Sequence, residues 1–397
     1  MTIPWIRLRA GRAAMLALLV ILAACTTTSS PSAQSQPSPQ GPGVALSQAV
    51  ASPQEDVPSA LANMRDPRLP PPLINLDKVL PGGPPPDGIP ALYAPRFERA
   101  RDIDWLADSE PVLVVTIAGE TRAYPIQIMI WHEIANDTIG GVPVAVTYCP
   151  LCNSGVAFDR RAAGRVLTFG TSGLLYNDNL VMYDWQTRSL WPQLTSKAAV
   201  GLLTGTTLAA YPIGGFAWRE FRAAYPDAWV LNRNTGYQRD YGFNPYVGYD
   251  DPNSGPPTTA DGRLPVKERV IGLIGPHEAV AIVRDIIAHE GARAITVDGR
   301  PLVVWHRPGQ ASALDNSTIA TGRDIGTVAV YDSSVDGRTL HFVPEGDGFT
   351  DLETGSHWTV LGHATTGRLA GCDLIPYPYV DTFWFAWVAF QPRTRIE

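Results

Sequence analysis

Two cysteines lie close together in the sequence, in the segment Cys149-Pro150-Leu151-Cys152. In a Cys-x-x-Cys turn both sulfurs can point the same way, and the amides that follow can donate hydrogen bonds to the thiolates. Such a pair supplies half of a tetrahedral metal site, so further ligands are needed. His132 is the nearest histidine in sequence, and Met182 is a second soft donor. The leading prediction is a copper or zinc site at Cys149, Cys152 and His132, with copper favoured because thiolate and imidazole suit Cu(I).

Two other roles for the same cysteines stay open. In an oxidising compartment Cys149 and Cys152 readily form a disulfide, which would pin the loop of a non-enzymatic binding module. A thiol–disulfide redox protein would use Cys149 as the attacking residue. Such proteins place that cysteine at the start of a helix, whereas residues 153–159 have the pattern of a strand. Cys372 is interpreted as a small buried hydrophobic side chain, and as a third ligand only if two halves of the protein pack face to face.

Polar residues near the cysteines are candidates for the same pocket. They follow Cys152 directly or belong to a polar segment ending near residue 182, and they are Asn153, Ser154, Asp159, Ser172, Tyr176, Asn177 and Met182. Other familiar motifs are absent from the sequence. Gly272-Leu273-Ile274-Gly275 is not followed by the Lys-Ser/Thr of a phosphate-binding loop, and Ser154 lacks the Gly-x-Ser-x-Gly context of a hydrolase nucleophile. No catalytic residue is therefore assigned.

The elements that must position these residues follow from the apolar spacing. Residues 112–117 and 121–124, on either side of a glycine turn, alternate as a β-hairpin does. Residues 126–135, apolar at 126, 130 and 134, predict a short helix that carries His132. Residues 142–148 predict the strand from which the cysteine loop leaves, and strand pairs surround 163–165 and 186–187. The predicted fold class is mainly β, a β-rich α+β arrangement with short helices only.

The same order of features occurs twice along the chain. Gly141-Val142-Pro143 recurs as Gly299-Arg300-Pro301, and the segment from Asp184 to Trp191 recurs from Asp351 to Trp358. Further matches pair His132-Glu133 with His289-Glu290, Phe158-Asp159 with Tyr331-Asp332, Tyr211-Pro212 with Tyr377-Pro378, and Phe216-Ala217-Trp218 with Phe385-Ala386-Trp387. We therefore predict two diverged tandem copies of one β-hairpin-rich unit, packed as one folded region. In the repeated Asp-x-x-Thr-x-Ser-x-Trp element, Asp and Thr are expected to bond the turn backbone while Trp packs inward.

A duplicated scaffold provides an internal control, because features present in both copies are architecture and features in one copy are candidates for function. By this criterion His132-Glu133, Asp159, Asp184 and Trp191 are interpreted as structural. The two thiols occur only in the first copy. The corresponding strand of the second copy ends in Trp305-His306-Arg307-Pro308. The cysteine loop is thus the main difference between the two units.

The N-terminus predicts export. Residues 1–12 are positively charged, and residues 13–24 form an apolar run too short to span a bilayer, so residues 1–24 are predicted to be a signal peptide. Leu22-Ala23-Ala24-Cys25 resembles the bacterial lipobox, which implies lipidation of Cys25 and a membrane partner in the cell envelope. Thr26 in place of Asp favours the outer membrane, on its periplasmic or surface side. The alternative is a plain cleavable signal with an incidental cysteine.

Composition divides the rest of the chain and excludes one class of partner. Ser/Thr/Pro/Gln-rich residues 25–55 predict a disordered tether, and residues 56–100 a Pro-rich extended segment. Residues 101–231 and 267–397 are the two units, joined by a long loop at 232–266. The 36 glycines and 36 prolines favour short strands joined by turns over a helical bundle. Without its leader the chain has 28 basic and 38 acidic residues, which argues against nucleic-acid binding.

The motifs together resemble one family. They are Trp131-His132-Glu133-Ile134, the segment Thr147-Tyr148-Cys149-Pro150-Leu151-Cys152, Leu175-Tyr176-Asn177, Leu180-Val181-Met182-Tyr183-Asp184, and Asp381 with Phe383-Trp384-Phe385-Ala386-Trp387. This set is similar to the domain of unknown function 3179 family over roughly residues 100–395. The resemblance implies an exported domain and supplies no reaction. Gln391 stands where the family's Phe-His-Pro ending has His, so a ligand at that position would be missing here.

Overall fold

The computed structural model describes residues 57–252, 254 and 261–397. Strand accounts for 41% of residues and helix for 13%, so the predicted mainly β class is confirmed. The predicted signal peptide, Cys25 and the tether at 25–55 lie outside the described residues. Among the described residues, no helix is both long enough and apolar enough to cross a membrane.

Short strands dominate the first half. Its strands are β1 (Val79–Pro81), β2 (Phe97–Arg99), β3 (Pro111–Ile117), β4 (Glu120–Pro125), β5 (Ile134–Ile139), β6 (Val142–Cys149), β7 (Ser154–Asp159), β8 (Arg161–Ala162), β9 (Arg165–Val166), β10 (Phe169–Tyr176), β11 (Asn179–Asp184), β12 (Leu190–Pro192), β13 (Ala210–Tyr211), β14 (Ile213–Ala217) and β15 (Trp229–Leu231). Its helices are α1 (Ile126–His132) and α2 (Trp218–Ala224), with 3₁₀ turns at Leu76–Lys78, Ala100–Asp102, Pro150–Cys152 and Gln193–Thr195.

The second half has the same character. Its strands are β16 (Arg269–Ile274), β17 (Ala279–Val283), β18 (Ala292–Val297), β19 (Arg300–Arg307), β20 (Thr327–Asp332), β21 (Ser334–Val335), β22 (Arg338–Thr339), β23 (Phe342–Glu345), β24 (Gly348–Asp351), β25 (His357–Trp358), β26 (Ala364–Thr366), β27 (Tyr379–Phe383) and β28 (Arg395–Ile396). Its helices are α3 (Arg284–Glu290) and α4 (Trp384–Phe390), with a 3₁₀ turn at Ile319–Thr321.

The strands form several small, largely antiparallel sheets. In the first half the strand orders are β1-β10-β11-β12, β13-β7-β6-β5 and β14-β3-β4-β15-β2. In the second half they are β27-β16-β17-β28, β18-β19-β20 and β23-β24-β25-β26. Two parallel pairs lie at matching places, β15 beside β4 and β28 beside β17. Local hairpins therefore build most of each half, and the central sheet of each half is completed by strands from distant parts of the chain.

The order of elements recurs between the halves, while their common origin stays a prediction. The series β3-β4-α1-β5-β6-β7 is followed 158 to 173 positions later by β16-β17-α3-β18-β19-β20. In each series a hairpin leads into a seven-residue helix and then into antiparallel strands. In the described part of the predicted inter-repeat loop, 232–252, 254 and 261–266, the chain forms neither helix nor strand.

Two of the predicted residue matches are wrong. Because α1 ends at His132 and α3 at Glu290, His132 corresponds to Glu290 and Glu133 to Gly291. The predicted match of His132-Glu133 with His289-Glu290 was shifted by one residue. Likewise Trp218 begins α2 and Trp384 begins α4, so Phe385-Ala386-Trp387 is not the counterpart of Phe216-Ala217-Trp218.

Helix α1 is shorter than the predicted 126–135. It ends at His132 because Glu133 has a positive φ of 58°, which turns the chain into β5. Ile134 pairs with Thr147, and Ala135 with Val146. Apolar residues at 130 and 134 fit the period of a helix and also that of a strand, so the spacing alone did not locate the end of the helix.

The two halves share hydrophobic cores. One cluster joins α1 and the cysteine strand to residues of the second half, including Leu314 and Phe385. A second cluster joins Trp218 and Phe221 of α2 to Trp305 and Trp358. Burial of these large side chains against each other stabilises the two halves jointly, which agrees with the prediction of one folded region.

Candidate functional site

The cysteine loop is a single tight turn between two paired strands. Cys149 is the last residue of β6, Pro150–Cys152 form a 3₁₀ turn, and Asn153 has the left-handed φ of 53° that leads into β7. Cys149 and Ser154 are cross-strand partners at the base of the turn. The ladder therefore holds the two thiols at one end of the sheet, close to each other.

Both thiols are free and buried. Cys149 is 1% exposed and Cys152 is 0% exposed, and the two side chains hydrogen-bond each other. The Leu180 N–H donates to Cys149 Sγ at 3.4 Å, and Asn179 Nδ2 donates to Cys152 Sγ at 3.5 Å. Cys152 Sγ also lies 3.4 Å from the carbonyl oxygen of Asp178, so its single S–H has two acceptors within reach, that oxygen and Cys149 Sγ. Strand β11 and the residue before it thus supply the polar partners of both sulfurs.

These partners make the two thiols unequal. Burial raises the pKa of a thiol, but hydrogen bonds from Cys152 and from the Leu180 N–H outweigh burial and lower the pKa of Cys149 below its usual value. For Cys152, burial and the neighbouring Cys149 raise the pKa well above the usual value. Cys149 is therefore the more acidic thiol of the pair, and Cys152 the less acidic one.

A network of buried polar side chains packs against the cysteine loop. Gln193 Nε2 donates to Thr147 Oγ1 at 3.0 Å, and its Oε1 accepts from Ser154 Oγ and from Asn179 Nδ2, each at 3.0 Å. Because Gln193, Ser154 and Asn179 are 0% exposed, every bond in this network is shielded from water. A fully bonded network of this kind fixes Asn179 in place against Cys152.

The second half of the chain closes the loop on its other side. Thr382 Oγ1, from β27, donates to the carbonyl oxygen of Cys152 at 2.7 Å. Beside this contact lies a cavity of about 40 Å³, lined from the first half by Tyr148 and Asn153 and from the second half by Gln310 and Asp381. A cavity of this size has room for water and not for a large ligand.

His132 does not join the two thiols. Its Nδ1 lies 2.7 Å from the carbonyl oxygen of Pro90, and its Nε2 lies 2.7 Å from the hydroxyl of Tyr241. Both ring nitrogens are therefore engaged elsewhere, and burial lowers the pKa of His132 to about 4. Among residues 57–252, 254 and 261–397, no three or more His, Cys, Asp or Glu side chains are arranged to hold a metal ion. The structure thus does not assemble the predicted set of Cys149, Cys152 and His132, and metal binding stays a prediction.

The other predicted pocket residues divide into two groups. Asn153 accepts a hydrogen bond from the Tyr148 hydroxyl at 3.2 Å, Ser154 belongs to the polar network, and Met182 is buried in the same core cluster as the thiols. Ser172 is buried and donates to the Val181 carbonyl in the adjacent strand pair. The remaining three lie elsewhere, with Asp159 paired to Arg161 and Tyr211, and Tyr176 and Asn177 at the end of the β10–β11 hairpin.

Sequence reasoning missed Asn179 and Gln193 as partners of the thiol loop. Asn179 belongs to the polar Tyr176-Asn177-Asp178-Asn179 segment, whose absence from the second half was the available signal. Glu133 was matched with the wrong residue, although the 158-residue spacing of Gly141 and Gly299 pairs it with Gly291. Gln193 gave no signal of its own. Cys372 lies in the second core cluster, whereas Cys149 and Cys152 lie in the first.

Comparison with known proteins gives a family and no activity. The family model described as "Protein of unknown function (DUF3179)" matches residues 86–394. No curated protein and no solved structure matches the chain. The match covers both halves and the whole of the thiol site.

Proposed function

The chain belongs to the domain of unknown function 3179 family, and since that description names no reaction, we propose from the geometry of the thiol pair that the protein is a thiol–disulfide redox protein. Cys149 is the attacking thiolate and Cys152 the resolving thiol. The observation that carries the proposal is the unequal bonding of the sulfurs. Cys149 Sγ accepts from the Leu180 N–H and from Cys152, whereas Cys152 Sγ accepts from Asn179 Nδ2 and also lies against an acceptor, the Asp178 carbonyl oxygen.

The chemistry follows from this inequality. The Cys149 thiolate attacks one sulfur of a substrate disulfide, forms a mixed disulfide and releases the other sulfur as a thiolate. Cys152 then loses its proton and attacks Cys149, which forms the Cys149–Cys152 disulfide and releases the second substrate thiolate. Two electrons pass from the protein dithiol to the substrate disulfide, which is reduced to two thiols. The reverse sequence oxidises a substrate dithiol.

Burial limits which substrates react. Because Cys149 and Cys152 are at most 1% exposed, a substrate disulfide reaches Cys149 only when the structure around the loop opens. The Thr382 contact to the Cys152 carbonyl is one of the bonds that oppose such opening. Small disulfides, or a partner protein that opens the site, are therefore the substrates that fit.

The same proposal places the protein in the bacterial cell envelope. Support comes from the leader at residues 1–24 and from Leu22-Ala23-Ala24-Cys25, which predict export and lipidation of Cys25. An oxidising compartment supplies the disulfides on which a dithiol can act. Mass spectrometry of the N-terminal peptide of the membrane-bound protein tests the anchor. A diacylated Cys25 is expected, and an unmodified cysteine would contradict lipidation.

A redox titration with metal analysis tests the function. The protein is purified anaerobically, its metal content is measured, and it is equilibrated in buffers of reduced and oxidised dithiothreitol before acid quenching and peptide mapping. We expect less than about 0.1 equivalent of metal and a reversible, two-electron Cys149–Cys152 couple. A Cys149→Ser/Cys152→Ser variant is the control for both measurements. One equivalent of copper or zinc that the variant loses, or thiols that stay reduced throughout, would contradict the proposal.

A further inference from the structure

A second pocket lies where the loop that joins the two halves packs against the C-terminal end of α1. It has a volume of about 410 Å³ and opens to solvent, and its volume is that of a small-molecule site. Trp131 of α1 and residues 233 and 237–241 of the loop line it. Neither Cys149 nor Cys152 lines this pocket, so what it binds does not depend on the proposed redox function.

The aromatic side chains of the pocket are held by His132. The Tyr241 hydroxyl lies 2.7 Å from His132 Nε2 and 2.6 Å from Thr235 Oγ1. The ring centroids of Tyr237 and His132 are 5.4 Å apart. His132 is 0% exposed and follows Trp131 directly in α1, so the end of the helix fixes three aromatic side chains in one pocket. Aromatic rings that line a pocket can stack against a flat ring of a ligand.

A network of buried side chains holds one of the two guanidinium groups in the pocket. Gln127 is 0% exposed, and its Nε2 donates to Glu110 Oε2 at 2.6 Å. Gln127 Oε1 accepts from Arg233 Nε at 2.9 Å and from Arg233 Nη2 at 2.6 Å. The Arg233 guanidinium carbon also lies 4.7 Å from the centroid of the Trp105 ring. These contacts leave Arg233 Nη1 without a hydrogen-bond partner among the described residues, and a donor held in place binds an acceptor at little cost in side-chain entropy.

The pocket is positively charged although the protein is acidic. Within the described part of the chain, Arg239 donates only to the carbonyl oxygen of Gln238, at 2.9 Å, and Arg233 donates only to neutral acceptors. Asp240 is the one carboxylate among the lining residues. Two arginines and one aspartate give the pocket a net charge of +1, whereas the whole chain has a net charge of -7. A cleft with an excess of positive charge attracts anions.

We propose that this pocket binds a small aromatic carboxylate. The ligand carboxylate pairs with the guanidinium groups of Arg233 and Arg239, whose planar donors match carboxylate oxygens. The ligand ring packs against the aromatic side chains of Trp131 and Tyr237. The charge and the ring are both required, because the arginines recognise only the first and the aromatic side chains only the second.

Isothermal titration calorimetry of the purified protein tests the proposal with three probes. Indole-3-acetate has both the carboxylate and the ring, acetate has only the carboxylate, and indole-3-ethanol has only the ring. We expect indole-3-acetate to bind with a dissociation constant of about 1 mM or lower. Acetate and indole-3-ethanol are each expected to bind at least about tenfold more weakly, because each lacks one of the two recognised groups.

Substitutions of exposed side chains locate the ligand. Arg239→Gln is expected to weaken the binding of indole-3-acetate about tenfold, because it removes a charged hydrogen-bond donor. Asp240→Asn is expected to strengthen binding about threefold, because it removes the negative charge of the pocket. Arg165→Gln, the matched change of an exposed arginine in β9, is expected to bind as wild type.

Three results would overturn the proposal. The first is no heat of binding at about 10 mM indole-3-acetate, well above the expected dissociation constant. The second is an affinity for acetate or indole-3-ethanol equal to that for indole-3-acetate. The third is an Arg239→Gln protein that binds as wild type. The Cys149→Ser/Cys152→Ser variant is expected to bind indole-3-acetate as wild type does, which keeps this test separate from that of the redox function.

Discussion

At the scale of single residues, His132 is a buried base held by two neutral partners. The Pro90 carbonyl accepts a hydrogen bond from Nδ1–H, which leaves Nε2 to accept from the Tyr241 hydroxyl. Burial lowers the pKa of His132 from 6.5 to about 4. The unfolded chain therefore binds a proton more readily than the folded chain. The contribution of neutral His132 to the free energy of unfolding is fully present above pH 6.5 and is lost as the pH falls from 6.5 toward 4.

This pKa shift predicts that His132 makes the free energy of unfolding fall at acid pH. Between pH 7 and pH 4.5 wild type is expected to lose about 2–3 kcal/mol of unfolding free energy more than His132→Gln, since one pKa unit corresponds to about 1.4 kcal/mol. Urea unfolding at both pH values measures the difference. His289→Gln, on the exposed face of α3, is the matched control and is expected to keep the wild-type pH dependence. Equal losses in wild type and His132→Gln would contradict the assignment.

The residue types predicted the thiol site, but the hydrogen-bond partners of its residues depend on the tertiary structure. Cys149 and Cys152 could be predicted as a pair because their spacing alone brings them together. His132 could not be placed, because its partner Tyr241 is 109 positions away along the chain. Thr382, which bonds the Cys152 carbonyl, is 230 positions away. A local sequence pattern cannot predict contacts between residues so far apart along the chain.

At the scale of elements, the repeated turn behaves as its sequence predicts for the aspartate and the tryptophan, whereas the threonine hydroxyl bonds the aspartate carboxylate and not the turn backbone. Asp184 Oδ1 accepts from the Thr187 N–H at 2.6 Å, and Oδ2 accepts from Trp191 Nε1 at 3.0 Å. In the second half Asp351 accepts from the Thr354 N–H at 2.6 Å and from Trp358 Nε1 at 2.9 Å. Both tryptophans are 0% exposed. One carboxylate thus closes a turn and bonds a buried indole in each half.

The two turns should respond alike to the same substitution. Asp184→Ala and Asp351→Ala each remove the partner of a buried indole N–H and open the turn. We expect each to lower the unfolding free energy by about 2–3 kcal/mol. Asp104→Ala changes an exposed aspartate and is expected to alter it by no more than about 0.5 kcal/mol. Chemical denaturation of wild type and the three variants measures these differences in unfolding free energy. Aspartate variants as stable as Asp104→Ala would show that the turns are not anchored by these carboxylates.

Element boundaries were predictable where turn chemistry marks them and not elsewhere. The glycine turns gave the β3–β4 and β8–β9 hairpins correctly. The end of α1 was missed because Glu133 takes a conformation that the sequence rule assigns to glycine.

At the scale of the whole molecule, the two halves together form the thiol site. The first half supplies both sulfurs and the N–H donors of β11, and the second half covers the loop with β27. The order of features along the sequence predicted two similar halves and the shared mainly β class. It did not predict that the second half, which has no thiol pair, packs directly against the thiol pair of the first.

The central claim is that Cys149 attacks and Cys152 resolves, and trapping the mixed disulfide tests it most directly. Reduced Cys152→Ser and Cys149→Ser proteins are mixed anaerobically with 2-hydroxyethyl disulfide at neutral pH, quenched with acid at intervals and analysed by mass spectrometry. We predict that Cys149 in the Cys152→Ser protein gains the hydroxyethylthio adduct at least tenfold faster than Cys152 does in the Cys149→Ser protein. Equal rates, or faster modification of Cys152, would contradict the account.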